Sequence, residues 1–256
     1  MRSFSFTVDD NIIFLKDITE MGCESIFDHP YLAMYKRLHE KYDLKIQLNL
    51  FFECEGFDLT HFPDRYKDEW RSSSDWLKLS FHSKFENVNP YEFSGYDEVY
   101  GDCARVQAEI LRFAGESSLA KTTTIHYCLA TLDGLRALYD NGVRGLLGLY
   151  GKTQNPSVSY SRSESETEVI LTGKTIEADG IAHAALDVVL NCFDKKTILE
   201  KLERLYGRDF IKVMIHEQYF YSCLKYYQKD FEEKISAAFE AMIENGYKSV
   251  FFEETI

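Results

Sequence analysis

The chain has 256 residues, of which 29 are basic and 42 acidic, for a formal net charge of −13. A surface this acidic repels phosphates and anionic headgroups, so neither nucleic acid nor a membrane surface is expected as a partner. Hydrophobic residues make up 45% and aromatic residues 15%, enough for a large core and for rings that could line a cleft.

No window approaches the ~18 apolar residues of a membrane span, and Met1 to Asp10 lacks the apolar run of a secretory signal. The six cysteines (23, 54, 103, 128, 192 and 223) form no CxxC pair and read as reduced thiols, with the cytoplasm as the expected compartment. Oligomeric state is left open by the sequence.

In chain order, the first strand is expected at Phe4 to Val8, and Tyr31 to Lys41 follows as a helix. Lys45 to Phe52 alternates as a strand, and Trp76 to Phe81 is the next. Tyr96 to Phe113 places Val99, Cys103, Val106, Ile110 and Phe113 on one helical stripe. Thr122 to Ile125 is β-branched throughout. Leu132 to Asn141 reads as a helix closed by Gly142, and Val143 to Leu149 as a strand.

Lys152 to Thr172 breaks the rhythm. It is polar and reads as a hairpin-like insertion, with short strands at Ser157 to Tyr160 and Val169 to Leu171. Ala185 to Leu190 and Phe210 to Ile215 are further strands, separated by a helix over Lys195 to Tyr206. A helix from Phe231 to Asn245 and a strand from Ser249 to Phe252 close the chain. Strands alternating with helices predict an α/β fold, a (β/α) barrel over residues 1–256 as one domain.

Polar residues gather where the strands end. Asp9 and Asp10 follow the first, Glu53 the second, and His82 the third, with Glu86 four residues on. His126, Tyr150 and Asn191 follow the next three, and His216-Glu217 the last. An α/β barrel carries its chemistry at that end. Asp10, His82 and Glu86 supply a three-ligand set for a divalent ion, zinc first, with cobalt, nickel or manganese also suited. Asp9 is placed to act as base and His216 to protonate a leaving group.

Thr7-Val8-Asp9-Asp10 resembles the first motif of the polysaccharide deacetylases, the NodB-like carbohydrate esterases. His82-Ser83-Lys84-Phe85-Glu86 stands where that family has His-Ser-x-x-His, and Met214-Ile215-His216 fits its Leu-x-His. The resemblance implies an irregular (β/α)7-type barrel. It implies Asp9 as base, Asp10 and His82 as metal ligands, and His216 as acid. Glu86 replaces the family's second histidine. Ile125-His126-Tyr127-Cys128 stands where an Arg-x-Pro-Tyr motif is expected, which leaves His126 open as a ligand or a substrate-binding donor.

The expected activity is metal-dependent hydrolysis of an N- or O-acyl group on a carbohydrate or another acylated small molecule. Glu53, His126, Tyr150, Asn191 and Glu217 are expected to meet the substrate. Phe52, Tyr91, Tyr127, Tyr219 and Tyr221 are candidates for a stacking rim. Two rivals use the same barrel: a metal-free glycoside hydrolase pairing Asp9 or Asp10 with Glu217, and a glycan-binding protein without chemistry.

Overall fold

The computed structural model describes residues 2–86, 91–150 and 159–256. Seven parallel staves form an α/β barrel. They are β1 (Ser3–Asn11), β2 (Ile46–Phe51), β3 (Leu77–Ser83), β4 (Thr122–Thr123), β5 (Gly145–Gly148), β6 (Ile181–Ala185) and β7 (Phe210–His216). On one side of β1 the order runs through β2 to β3, and on the other side lies β7. β4, β5 and β6 make a second run of parallel pairs. Short links join the two runs. Ala120 donates to the carbonyl of Leu79 at 2.8 Å beside β3. Beyond β6 the chain continues through Val188–Val189, which pairs with β7. No helix is long and apolar enough to cross a membrane among the described residues.

Alternation decides which side chains look inward. In β1, Phe4, Phe6 and Val8 face the helical layer, while Ser5, Thr7 and Asp9 occupy the opposite face, all of them buried. Phe4 and Phe6 pack on Phe239 with ring centroids 5.5 and 4.9 Å apart. Burial of each such ring contributes roughly 2–3 kcal/mol. A small apolar plug of Leu147, Ala182, Ala184, Leu186, Met214 and Phe252 fills the barrel's lower end. Beside it, on the β1–β3 side, the interior is polar. Asn49 Oδ1 accepts from Gln47 at 2.8 Å and from the Ser80 hydroxyl at 2.5 Å. Those polar groups support the carboxylates above them.

The outer layer contains α1 (Ile13–Met21), α2 (Pro30–Tyr42), α3 (Lys67–Ser72), α4 (Tyr96–Phe113), α5 (Leu132–Asp140), α6 (Glu164–Leu171), α7 (Lys195–Glu203) and α8 (Phe231–Glu244). α2 begins with Pro30 at its first turn and buries Tyr31, Leu32, Met34, Tyr35 and Leu38. α4 buries the five residues of its expected stripe. After α5 the chain turns through Gly142 at φ 85°, a left-handed position that a side chain would strain.

Three expectations change. Val169 to Leu171 is not a strand but the end of α6. Ser163 caps that helix by accepting from Glu166 N–H, and Glu166 returns the bond to Ser163 N–H. This capping box outweighs the β-propensity of three residues. The other half of the proposed hairpin falls at 157–160, of which 157 and 158 lie outside the described residues, and Ser159–Ser161 is a 3-10 turn. At the C-terminus only Lys248–Ser249 pairs with β1, because Phe252–Glu254 coils to seat Phe252 in the barrel's lower end. The sixth strand begins four residues earlier than expected, which places His183 within β6 and not in a loop.

Candidate metal centre

The end of β1 is bent. Its register with β2 shifts between Val8 and Asn11, and Asp10 adopts φ 62°. A left-handed aspartate costs on the order of 1 kcal/mol and is held by its surroundings. Asn11 does part of that work. Its amide donates to the carbonyls of Val8 at 2.6 Å and Asn49 at 3.2 Å, and its oxygen accepts the Tyr31 hydroxyl at 2.8 Å. The bulge turns successive carboxylates in different directions. Asp9 points into the barrel and accepts from Asn49 at 2.6 Å. Burial pushes its carboxyl up to about 6.

Asp10 meets two imidazoles. Its Oδ1 lies 3.0 Å from His82 Nε2 and 3.3 Å from His126 Nδ1, and those two nitrogens are 3.2 Å apart. Asp10, His82 and His126 are the group that could hold a metal ion among the described residues. His126 reaches it through an unusual turn, since Tyr127 and Cys128 follow at φ 61° and 57°. Partners of the far nitrogens set the tautomers. His82 Nδ1 faces the carbonyl of Thr124, and His126 Nε2 faces the carbonyl of Glu86 at 3.0 Å. Carbonyls only accept, so each far nitrogen carries the hydrogen and each near nitrogen presents a lone pair.

Three acceptors therefore converge on one point. The set needs a cation among its members, a proton on an imidazole or a metal ion in its place, and its spacing suits a metal. Ligands about 2.0–2.1 Å from a tetrahedral zinc stand roughly 3.3 Å from each other. The donor chemistry and the separations both fit a divalent ion.

The remaining site residues fall into place around this group. Glu86 is exposed and outside it, contributing its backbone carbonyl and not its carboxylate. The His-x-x-x-Glu spacing would need one helical turn or a tight loop folding the carboxylate back on the ion. Instead the carbonyls of Ser83 and Lys84 accept from Phe52 N–H, and the chain bends at Lys84 and turns at Glu86 with the Glu86 side chain exposed. His216 Nε2 lies 4.0 Å from Asp10 Oδ2, and its Nδ1 donates to Asn191 Oδ1 at 2.9 Å. Burial holds His216 below the ordinary histidine range. Asn191 thus orients a histidine through its amide oxygen.

Glu217 is not a substrate contact. It is fully buried and caps α1, accepting N–H groups of Ile12, Ile13 and Phe14 at 2.7, 2.9 and 2.7 Å and the Tyr221 hydroxyl at 2.9 Å. Burial raises its carboxyl to about 7. Tyr150 is buried beside Tyr160, its hydroxyl 3.4 Å from His183 Nδ1, and does not line the cleft. Glu53 does line it.

Sequence reasoning missed Gln218, whose amide donates to Asp10 Oδ2 at 2.8 Å, and Tyr226 on the cleft wall. A His-Glu-Gln run at a strand end gives no signal of its own. Of the expected rim, Phe52, Tyr91 and Tyr221 are buried, whereas Tyr127 is exposed beside His126 and Tyr219 is half-buried beside His216. The cleft above Asp10 holds about 990 Å³. Phe51, Phe85, Leu224 and Tyr226 form its apolar walls, and Asp17, Glu20, Glu53, Glu55 and Glu86 face Lys16 and Lys225 around it.

No protein-family model matches the chain. No curated protein matches it in sequence. Solved structures do match in fold. A 4-α-glucanotransferase from Thermococcus litoralis superposes with a TM-score of 0.64 at 15% identity, over 99% of this chain and 40% of that one. The chain thus spans about two-fifths of the glucanotransferase. A family 4 acetyl xylan esterase from Clostridium thermocellum, solved with a cobalt ion, gives 0.56 at 12% identity over 99% and 89% of the two chains. A polysaccharide deacetylase from Bacillus cereus gives 0.50 at 12% identity over 100% and 95%. At these identities the likeness establishes the fold, a distorted α/β barrel over the whole chain that is shared by carbohydrate deacetylases and glycoside-active enzymes.

Proposed function

We propose that this protein is a metal-dependent hydrolase that removes an N- or O-acyl group from a carbohydrate. The observation that carries the reading is the convergence of Asp10 Oδ1, His82 Nε2 and His126 Nδ1, with both far imidazole nitrogens tied to backbone carbonyls. The fold it shares with an acetyl xylan esterase and a polysaccharide deacetylase supports the choice of substrate.

A divalent ion at this group would supply Lewis acidity toward the acyl carbonyl. The protein's own residues handle the protons. Asp9 has one oxygen fixed by Asn49 and a carboxyl raised by burial, which suits a base that takes a proton from the attacking water. His216, steadied by Asn191, presents Nε2 toward Asp10, where a leaving group can receive a proton. Its lowered affinity for protons makes the charged ring a stronger donor. The cleft walls offer Tyr226 and Phe85 for a sugar face.

The metal-free glycosidase reading loses its second carboxylate, since Glu217 is consumed as a helix cap. The test is metal uptake followed by turnover. Protein loaded with zinc, cobalt, nickel or manganese should hold one ion per chain and release acetate from acetylated sugars. Asp9→Ala should keep the metal and lose turnover. Less than stoichiometric uptake of all four metals, or acyl release unaffected by Asp9→Ala and Asp10→Ala alike, refutes the reading. Stoichiometric metal without hydrolysis of any acylated sugar would favour the glycan-binding rival.

A further inference from the structure

Three consecutive residues at the end of β7 all address the end of β1. His216 stands near Asp10, Glu217 accepts the N–H groups of Ile12 to Phe14, and Gln218 donates to Asp10 Oδ2. The two oxygens of Asp10 consequently have different company. Oδ1 faces both imidazoles at 3.0 and 3.3 Å, while Oδ2 is held by the Gln218 amide at 2.8 Å.

We infer that Gln218 is a positioning residue that restricts Asp10 to one-oxygen coordination of the ion, and that Glu217 is the anchor that holds Gln218 there. The inference rests on the metal-dependent reading above. A carboxylate free to rotate can present both oxygens to a cation, which fills a coordination position that substrate needs. A hydrogen bond to Oδ2 opposes that rotation. An amide suits the task better than a lysine or arginine, because it engages the oxygen without neutralising the charge that attracts the metal.

Glu217 supplies the rigidity. Three of its hydrogen bonds join the residues directly after Asp9-Asp10-Asn11 to the segment carrying Gln218, and the fourth, from the Tyr221 hydroxyl, holds the carboxylate within its own segment, so the two strand ends move as one body. Its anchoring bonds to Ile12, Ile13 and Phe14 are backbone N–H contacts, so the clasp depends on position and not on side chains of the β1 end.

Gln218→Ala and Gln218→Leu separate this role from a packing role. Both should weaken zinc binding 10- to 100-fold in a chelator competition, the range expected when the partner of a metal ligand is removed. Cobalt-loaded variants should show weaker visible absorption than the wild type as the coordination number rises. Glu217→Gln should reproduce part of both effects. Gln218 is only partly buried, and Leu preserves its bulk should the alanine variant fold poorly. Gln218 variants with wild-type zinc affinity and an unchanged cobalt spectrum would overturn the inference and leave the proposed function standing. Wild-type protein that binds no metal would overturn both.

Discussion

His126 Nε2 lies 3.0 Å from the carbonyl oxygen of Glu86, and this one contact puts His126 in place of the Glu86 side chain in the group that could hold a metal ion. The contact uses the backbone of Glu86 and fixes the hydrogen on the far side of the ring. His126 Nδ1 is left to face Asp10 and His82. Glu86→Ala should therefore retain metal within a few-fold of the wild type, whereas His126→Ala should lose at least ~100-fold, as expected when one of three ligands is removed. Equilibrium dialysis against zinc reads both. Loss of metal in Glu86→Ala with retention in His126→Ala would reverse the assignment.

Asp10 carries two burdens that substitution can separate. Its φ of 62° is tolerated by Asn better than by Ala, because a short polar side chain accepts the left-handed region. Asp10→Asn should fold with nearly wild-type stability and lose the metal. Asp10→Ala should lose the metal and about 1 kcal/mol of stability besides. Urea unfolding of the metal-free proteins measures the difference, and equal stability of the two variants would contradict a strained bulge.

Much of this site is legible in the sequence. Alternation along β1 and β3 places Asp9 and His82 inward, and the Asp-Asp pair at a strand end marks the site before any coordinates. The ligand set is less legible. A spacing of four residues suggests that Glu86 returns to the ion on a helical turn or a tight loop, but here Phe52 N–H holds the carbonyls of Ser83 and Lys84 and the turn that follows leaves the Glu86 side chain exposed. His126 depends on two consecutive left-handed residues, Tyr127 and Cys128, which neither residue type announces. Glu217 looks like a cleft carboxylate because its partners lie more than 200 residues earlier in the chain. Long-range caps leave no local pattern.

Glu217 should impose a pH dependence on stability. Burial raises its folded pKa from 4.5 to about 7. A raised pKa means that stability is fully present below the unfolded value and is lost as pH climbs toward the folded one. Between pH ~4.5 and ~7 the wild type should lose on the order of 3 kcal/mol from this group. Glu217→Gln is expected to be less stable at pH 4.5, since its amide NH2 would face N–H donors where the neutral carboxyl of the wild type still offers two oxygens. The gap should narrow as pH rises. Denaturant titrations of both metal-free proteins across this window test it, and a gap that widens would show that the carboxylate is stabilised in its charged form.

The lower end of the barrel is packed without slack. A Cβ added to Gly145 would meet Thr122 Cγ2 at 2.8 Å, Phe252 Cε1 at 2.9 Å and Ile256 Cδ1 at 3.0 Å. Gly145→Ala should cost about 1–3 kcal/mol by displacing the C-terminal segment. Because this plug lies at the opposite end from Asp10, metal affinity should be unchanged. A joint loss of stability and metal binding would mean that the two ends are coupled through the polar interior.

The cleft's charge bears on substrate choice. Asp17, Glu20, Glu53, Glu55 and Glu86 outnumber Lys16 and Lys225 around the opening, on a chain already at −13. A sugar carrying carboxylate or phosphate approaches against this field, while a neutral or amine-bearing sugar does not. At low ionic strength the KM for an anionic acetylated sugar should exceed that of its neutral counterpart several-fold, and the ratio should shrink toward one as salt screens the field. Exchanging Glu53 and Glu55 for Gln should shrink it without salt. An anionic substrate with the lower KM at low salt would mean that Lys16 and Lys225 govern recognition, and that the five carboxylates only face solvent.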